Sequence, residues 1–278
     1  MTRPLLELAG VVVRYGERTA LDDVTMTAAP GTVTAVVGGD GAGKTTLMRT
    51  VVGQVPVAAG ALRTPEQPAI GYLPATSGSW AGLTVQENVE FVGGSYGLSG
   101  ATLAEHSDEL LAVAGLDPFR DRLARQLSGG MRRKLGVCLA MLHDPALLVL
   151  DEPSTGVDPV SRVDLWSLAA RAASAGGTVL MTTTYLDEAE RAAHVVVLNQ
   201  GHVLVAGPPK QIRQAMPGLL TRSAEPVRPQ WAWRRGRSVH ELWVDELPPE
   251  GLAQIEADLE DVVTARSLVS HAAERGAP

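Results

Sequence analysis

Short apolar strands alternating with helical patterns assign this 278-residue chain to the α/β class, with a mainly parallel sheet carrying helices on both faces. Three stretches carry the assignment: TVTAVV (residues 32–37), ALLVL (146–150) and TVLMTT (178–183). Each is short, apolar and rich in β-branched or aliphatic residues, as strands buried on both faces are. Each also runs into a turn and then a helical pattern.

Taken in order, residues 5–37 alternate and turn like short strands (LLELAGVVVRYG, then VTMTAAPGTVTAVVG), with Pro30–Gly31 as a turn signal ahead of the first buried strand. A helix is predicted from Gly43 to about Val52. Residues 83–142 read as mostly helical, broken by GGSYGLSG and GLDP. After ALLVL, Asp158 followed by Pro159 reads as an N-cap with proline at the first helical position, opening PVSRVDLWSLAARAAS. TVLMTT follows, and HVVVLNQGHVLVAG reads as a strand hairpin. Beyond Gly207 the pattern weakens. Residues 222–238 read as a linker with a basic, tryptophan-containing patch at Trp231–Arg237, ELWVDEL as a strand, and GLAQIEADLEDVVTARSL as an amphipathic helix. The chain therefore divides into a main domain over 1–215, with a helical subdomain at about 83–142, and a small appendage over 216–278.

Composition narrows the function. A formal charge of −7 argues against a general nucleic-acid binder, so no nucleic-acid partner is expected. The single cysteine, Cys138, excludes an internal disulfide framework, fits a reducing cytosol, and reads as a buried helix residue. No apolar run reaches the ~20 residues of a membrane span, and MTRPLLELAG lacks the layout of a signal peptide.

Chemistry concentrates in three motifs. GGDGAGKTT (Gly38, Gly39, Asp40, Gly41, Ala42, Gly43, Lys44, Thr45, Thr46) matches G-x-x-x-x-G-K-[ST] between a strand and a helix. Glycines there let backbone N–H groups curl around phosphates at the positive end of a helix. Lys44 can reach the β and γ phosphates, and the Thr45 hydroxyl can ligate Mg²⁺. ALLVLDEP ends a buried strand in Asp151, suited to the Mg²⁺ shell, and Glu152, suited to orienting an attacking water. Two consecutive acids in such a place are costly unless a cation or a solvent-filled site receives them. LSGGM, residues 127–131, heads a helix with Ser128 as N-cap, and Gly129 and Gly130 leave backbone N–H groups open.

Together with LTVQENVEF, STGVDP and YLDEAE, these motifs resemble the ATP-binding subunit of ABC transporters, and among them the drug-efflux branch similar to daunorubicin-resistance ATPases. The resemblance covers about residues 5–210. It implies ATP and Mg²⁺ as ligands, and Tyr15 stacked on adenine. It also implies two ATPase chains, identical or different, sandwiching ATP head to tail, so that one chain's glycine loop meets the other's LSGGM. Closure would then drive a separate integral membrane permease from the cytoplasmic face, in export.

Three positions depart from that pattern. Ala75 stands where a glutamine is usual, Thr184 where a histidine is usual, and Asp40 where a neutral residue is common. Alanine touches neither metal nor water, and a threonine hydroxyl carries no positive charge and does not titrate near neutrality. A carboxylate beside a triphosphate is repulsive unless screened. Retention of Lys44, Thr45, Asp151 and Glu152 beside these changes leaves two readings open: a site that still hydrolyses ATP at a reduced rate, or one that binds ATP and hydrolyses it poorly, as a regulatory nucleotide-binding subunit would.

Overall fold

The structure, a computed structural model, describes residues 3–244 and 246–274. It resolves into two compact units, Met1–Val203 and Leu204–Pro278.

The first unit begins with β1 (Leu6–Tyr15) and β2 (Arg18–Ala28), an antiparallel pair whose inward residues alternate with exposed ones. The chain enters β3 (Val33–Val37), then α1 (Lys44–Val51), β4 (Ala59–Arg63) and β5 (Ile70–Leu73). Three helices follow: α2 (Val85–Ser95), α3 (Gly100–Val113) and α4 (Gly129–Met141). Then come β6 (Leu147–Leu150), α5 (Pro159–Ser174), β7 (Thr178–Thr183), the single turn α6 (Leu186–Ala189) and β8 (His194–Asn199). At Gln200–Gly201 the chain turns into β9 (His202–Gly207), along which it passes from the first unit to the second.

Two sheets organise this unit. The smaller is antiparallel, in the order β2-β1-β4. The larger runs β5-β6-β7-β3-β8, every one of these pairs parallel. All residues of β3, β6 and β7 are buried, which is why they read as continuous apolar runs rather than alternating ones. One buried cluster joins both sheets through α1: Leu6, Leu8, Val11 and Leu21 pack with Leu47, Met48 and Val51, and these with Leu147, Leu180 and Val196. The glycine loop ahead of α1 is therefore anchored to the core at both its ends.

The helices begin where local chemistry directs. Thr84 and Glu87 form a reciprocal capping box on α2, with Glu87 N–H to Thr84 Oγ1 at 3.1 Å and Thr84 N–H to Glu87 Oε2 at 2.7 Å. Asp158 accepts from the N–H groups of Val160 and Ser161 at 3.1 and 3.0 Å, and Pro159 opens α5. Those hydrogen bonds, from Ser161 first, hold the Asp158 carboxyl below its usual range. Cys138 lies buried on α4 with Sγ 3.6 Å from the Leu110 carbonyl, and burial pushes its thiol up to about 12.

The second unit contains α7 (Pro209–Gln214), β10 (Leu219–Ser223), β11 (Ala232–Arg235), β12 (Ser238–Trp243), β13 (Ala253–Gln254) and α8 (Leu259–Glu274). This corrects the linker expected over 222–238, because β10, β11 and β12 belong to a four-stranded antiparallel sheet ordered β11-β12-β10-β13. The basic, tryptophan-bearing stretch is held by partners far along the chain. Arg235 pairs with Asp258, with Glu260 at 2.8 Å and with Asp261 at 3.4 Å. Trp233 Nε1 donates to Asp261, and Arg228 stacks 3.7 Å over the Trp243 ring. The fully buried Glu241 accepts the N–H groups of Val227 and Arg228 at 3.0 and 2.6 Å. The strand expected at ELWVDEL is β12, which starts earlier and ends at Trp243, and Asp245 lies outside the described residues. The helix expected from Gly251 starts only at Leu259, since Ala253 and Gln254 pair with β10 instead.

Candidate functional site

Leaving β3 at Val37, the chain emerges between β7 and β8 at the carboxyl edge of the sheet, where open α/β sheets hold their ligands. Gly41 and Gly43 adopt φ of +77° and +105°, a region that favours glycine. A Cβ on Gly43 would also lie 2.8 Å from Leu21 Cδ2 and 2.9 Å from the Ala20 carbonyl, and one on Gly38 would lie 2.4 Å from the Leu198 carbonyl. Gly39 and Gly41, by contrast, have nothing within 4 Å of that position. With Gly43 at its N-cap and no capping side chain, α1 keeps its first N–H groups without a side-chain partner. The loop bounds a cavity of about 600 Å³ lined by Tyr15, Arg18 to Ala20, Gly39 to Thr46, Glu152 and Gln200.

Lys44 is buried, and its Nζ donates to the carbonyls of Gly38 at 2.8 Å and Gly39 at 3.2 Å. The same ammonium stands 3.2 Å from Glu152 Oε1. Glu152 itself has φ of +48°, held at both backbone ends. Its N–H donates to Thr182 Oγ1 at 2.7 Å, and its carbonyl accepts from Arg133 Nη2 at 2.6 Å. Its other carboxylate oxygen accepts from Thr155 Oγ1 at 2.9 Å.

Asp151 is fully buried. Thr182 Oγ1 donates to its Oδ1 at 2.8 Å, while Oδ2 is buried with no protein partner. A buried carboxylate oxygen left unpaired is costly, and a cation is one partner that relieves it. Among the described residues no group of three His, Cys, Asp or Glu side chains could hold a metal. A hydroxyl from Thr45 with a carboxylate from Asp151 instead suits Mg²⁺, which keeps several waters and takes phosphate oxygens. The donor set therefore fits that ion. Burial and then the Asp151 charge push the nearby Tyr72 hydroxyl above its ordinary range.

The cavity thus brings together Tyr15, the loop from Gly39 to Thr46, and Glu152, with Asp40 exposed. Ser128, Gly129 and Gly130 are not part of it. Ser128 Oγ accepts from the Met131 N–H at 3.2 Å as the cap of α4, and Gly129 is exposed. Gly130 is buried, and a Cβ there would meet Ser161 Oγ at 2.7 Å. Gly129 lines a separate cavity of about 220 Å³ with Ala75, Thr76, Arg132, Thr155 and Gly156. Glu152 borders both cavities. Thr184 is exposed and lines neither.

Two working residues escaped the sequence reading. Thr182 braces both acids, and its position was recoverable. Met181 stands opposite Leu150, so the next residue of β7 falls beside Asp151. The Arg133 guanidinium left no signal, because the run MRRK does not say which arginine turns inward. Burial lowers its pKa, and the charges of Asp151 and Glu152 partly offset this.

The family model described as "ABC transporter" matches residues 21–155. The chain is 38% identical over 234 residues to a probable multidrug ABC transporter ATP-binding protein of Escherichia coli (strain K12), a match covering 78% of this chain and 40% of the relative's length. It is 35% identical over 228 residues to the daunorubicin/doxorubicin resistance ATP-binding protein of Streptomyces peucetius, covering 78% of this chain and 69% of that one. A solved ATP-binding subunit of an ABC transporter superposes with a TM-score of 0.70 at 28% identity, covering 76% of this chain and 92% of the other.

Proposed function

The chain belongs to the ABC transporter family as one of its ATP-binding proteins, and from that premise we propose that it binds and hydrolyses Mg-ATP to drive export through a separate membrane permease. The observation that carries the reading is the pairing of an open glycine loop with Lys44 and Glu152, 3.2 Å apart at the mouth of one cavity.

In this reading Lys44 exchanges the Gly38 and Gly39 carbonyls and Glu152 for the β and γ phosphates. Uncapped N–H groups at the start of α1 meet the same anion, and Tyr15 stacks on the base. Glu152, released from Lys44, orients the attacking water and accepts its proton. Thr45 and Asp151 would hold Mg²⁺, which when bound neutralises charge on the phosphates. The remoteness of Ser128, Gly129 and Gly130 from this cavity supports a head-to-tail dimer, in which those residues close the site of a partner ATPase subunit. Among the described residues no helix is long and apolar enough to cross a membrane, so the membrane step falls to a permease, with this chain peripheral at its cytoplasmic side. The names of the two relatives favour a drug-like export substrate.

Ala75, Thr184 and Asp40 support slow turnover at this chain's own site. Calorimetry with Mg-ATP tests the binding reading: Lys44→Ala should lose high-affinity binding, and equal affinity in the two proteins would sink it. In the complex with its permease, Gly129→Asp should nearly abolish ATPase activity while Glu152→Gln costs far less. Equal damage from the two would mean that this chain's own site is fully active.

A further inference from the structure

We infer that Arg133 is a positioning residue for Glu152, fixing the catalytic carboxylate by gripping backbone on two neighbouring strand ends; the inference rests on the hydrolysis reading above. Arg133 belongs to α4, and only 6% of it is exposed. Its Nη1 donates to the carbonyls of Pro74, at 3.0 Å, and Thr76, just beyond β5. Its Nη2 donates to the carbonyls of Asp151 at 3.0 Å and Glu152 at 2.6 Å, just beyond β6. Four backbone carbonyls on two segments thus take up one buried guanidinium, and no carboxylate among the described residues forms an ion pair with it. A planar fork of donors can hold such an arrangement, which the compact ammonium of lysine cannot reproduce.

What the grip controls is an unfavourable conformation. Glu152 is not glycine, yet it sits at φ of +48°, in the left-handed region that residues with a Cβ disfavour. Thr182 holds its N–H and Arg133 its carbonyl, so the turn is fixed at both ends. That turn sets one carboxylate oxygen toward Lys44 and the other toward Thr155. Ala75, exposed and lacking any polar side-chain atom, contributes nothing to this tie. The segment 74–76 is joined to Glu152 through Arg133 instead.

The test compares Arg133→Lys, Glu152→Gln and the double variant for Mg-ATP affinity, kcat, KM and thermal midpoint. Arg133→Lys should lower kcat by no more than Glu152→Gln does, up to about tenfold, as a misplaced catalytic group does. KM and affinity should stay unchanged, and the thermal midpoint should be lowered by the buried hydrogen bonds that lysine cannot remake. In the Glu152→Gln background it should cost no further kcat. Hydrogen exchange should rise at the amides of residues 151–155 and stay unchanged at 38–46. Additive losses of kcat in the double variant, or an unchanged kcat beside a lowered midpoint, would overturn the inference and reduce Arg133 to a structural staple while leaving the ATP reading intact. An unsubstituted chain that fails to bind Mg-ATP would overturn the ATP reading itself, and this inference with it.

Discussion

Two glycine-rich turns each open a helix in this chain, and they are built on opposite plans. Ahead of α1, Gly41 and Gly43 use positive φ, Gly39 and Gly41 face open space, and no side chain caps the helix. Ahead of α4, Ser128 caps the helix with its own hydroxyl, and Gly130 is closed against Ser161 on α5 and that helix's N-cap, Asp158. The first turn leaves its helix start without a side-chain partner, whereas the second is capped and packed in place. Glycine serves backbone conformation and open space in the one, and close helix packing in the other.

The sharpest way to break this contrast is to add one methyl group to each turn. Gly130→Ala would place a Cβ 2.7 Å from Ser161 Oγ and 2.9 Å from Ser161 Cβ. It should therefore destabilise the chain by about 1–3 kcal/mol, the usual cost of overpacking, read from urea denaturation. Gly39→Ala should leave the denaturation midpoint unchanged and weaken Mg-ATP binding, because its methyl meets nothing in the protein and enters the cavity. A neutral Gly130→Ala or an unstable Gly39→Ala would end the comparison.

Removing the cap should have a smaller effect. Ser128→Ala deletes the acceptor for the Met131 N–H and should cost about 1 kcal/mol, with Mg-ATP affinity of the isolated chain unchanged. The smallest effect lies just past the far end of α4. His143 stacks on Tyr96 with ring centroids 3.6 Å apart, and burial holds its imidazole below the ordinary value, against the opposing pull of the Ile70 backbone and Asp144. The unfolded chain therefore takes up this proton first. Stability from this residue is complete above about pH 6.5 and falls as the pH drops below it toward the folded value. Denaturation midpoints at successive pH values should show that slope, and His143→Phe should flatten it.

What could be read from the sequence was whatever depends on neighbours in the chain. Strand, glycine loop and helix lie within residues 32–52, and LLVLDE needs only its own hydrophobicity to read as a strand ending in two acids. Caps at Ser128 and Asp158 are local for the same reason. Contacts across long sequence separations stayed hidden. AWRR read as a linker because Arg235 finds its carboxylates on and just before α8, more than twenty residues away. Arg133 works on residues 57 to 59 positions before it and 18 to 19 after it. The threonines ending β7 divide in a way that composition does not show: Thr182 serves the two acids, Thr183 donates to Glu188 at 2.7 Å, and Thr184 stays at the surface.

Cys138 gives the molecule a built-in clock. It is the one thiol in the chain, and burial, by pushing its pKa up to about 12, keeps it protonated at neutral pH. Alkylating reagents will pass it by while α4 stays packed, so a cysteine introduced on the surface can be labelled without background. When α4 detaches from its neighbours the thiol returns to ordinary reactivity, and the rate of its modification then counts openings of the helix that begins with LSGGM.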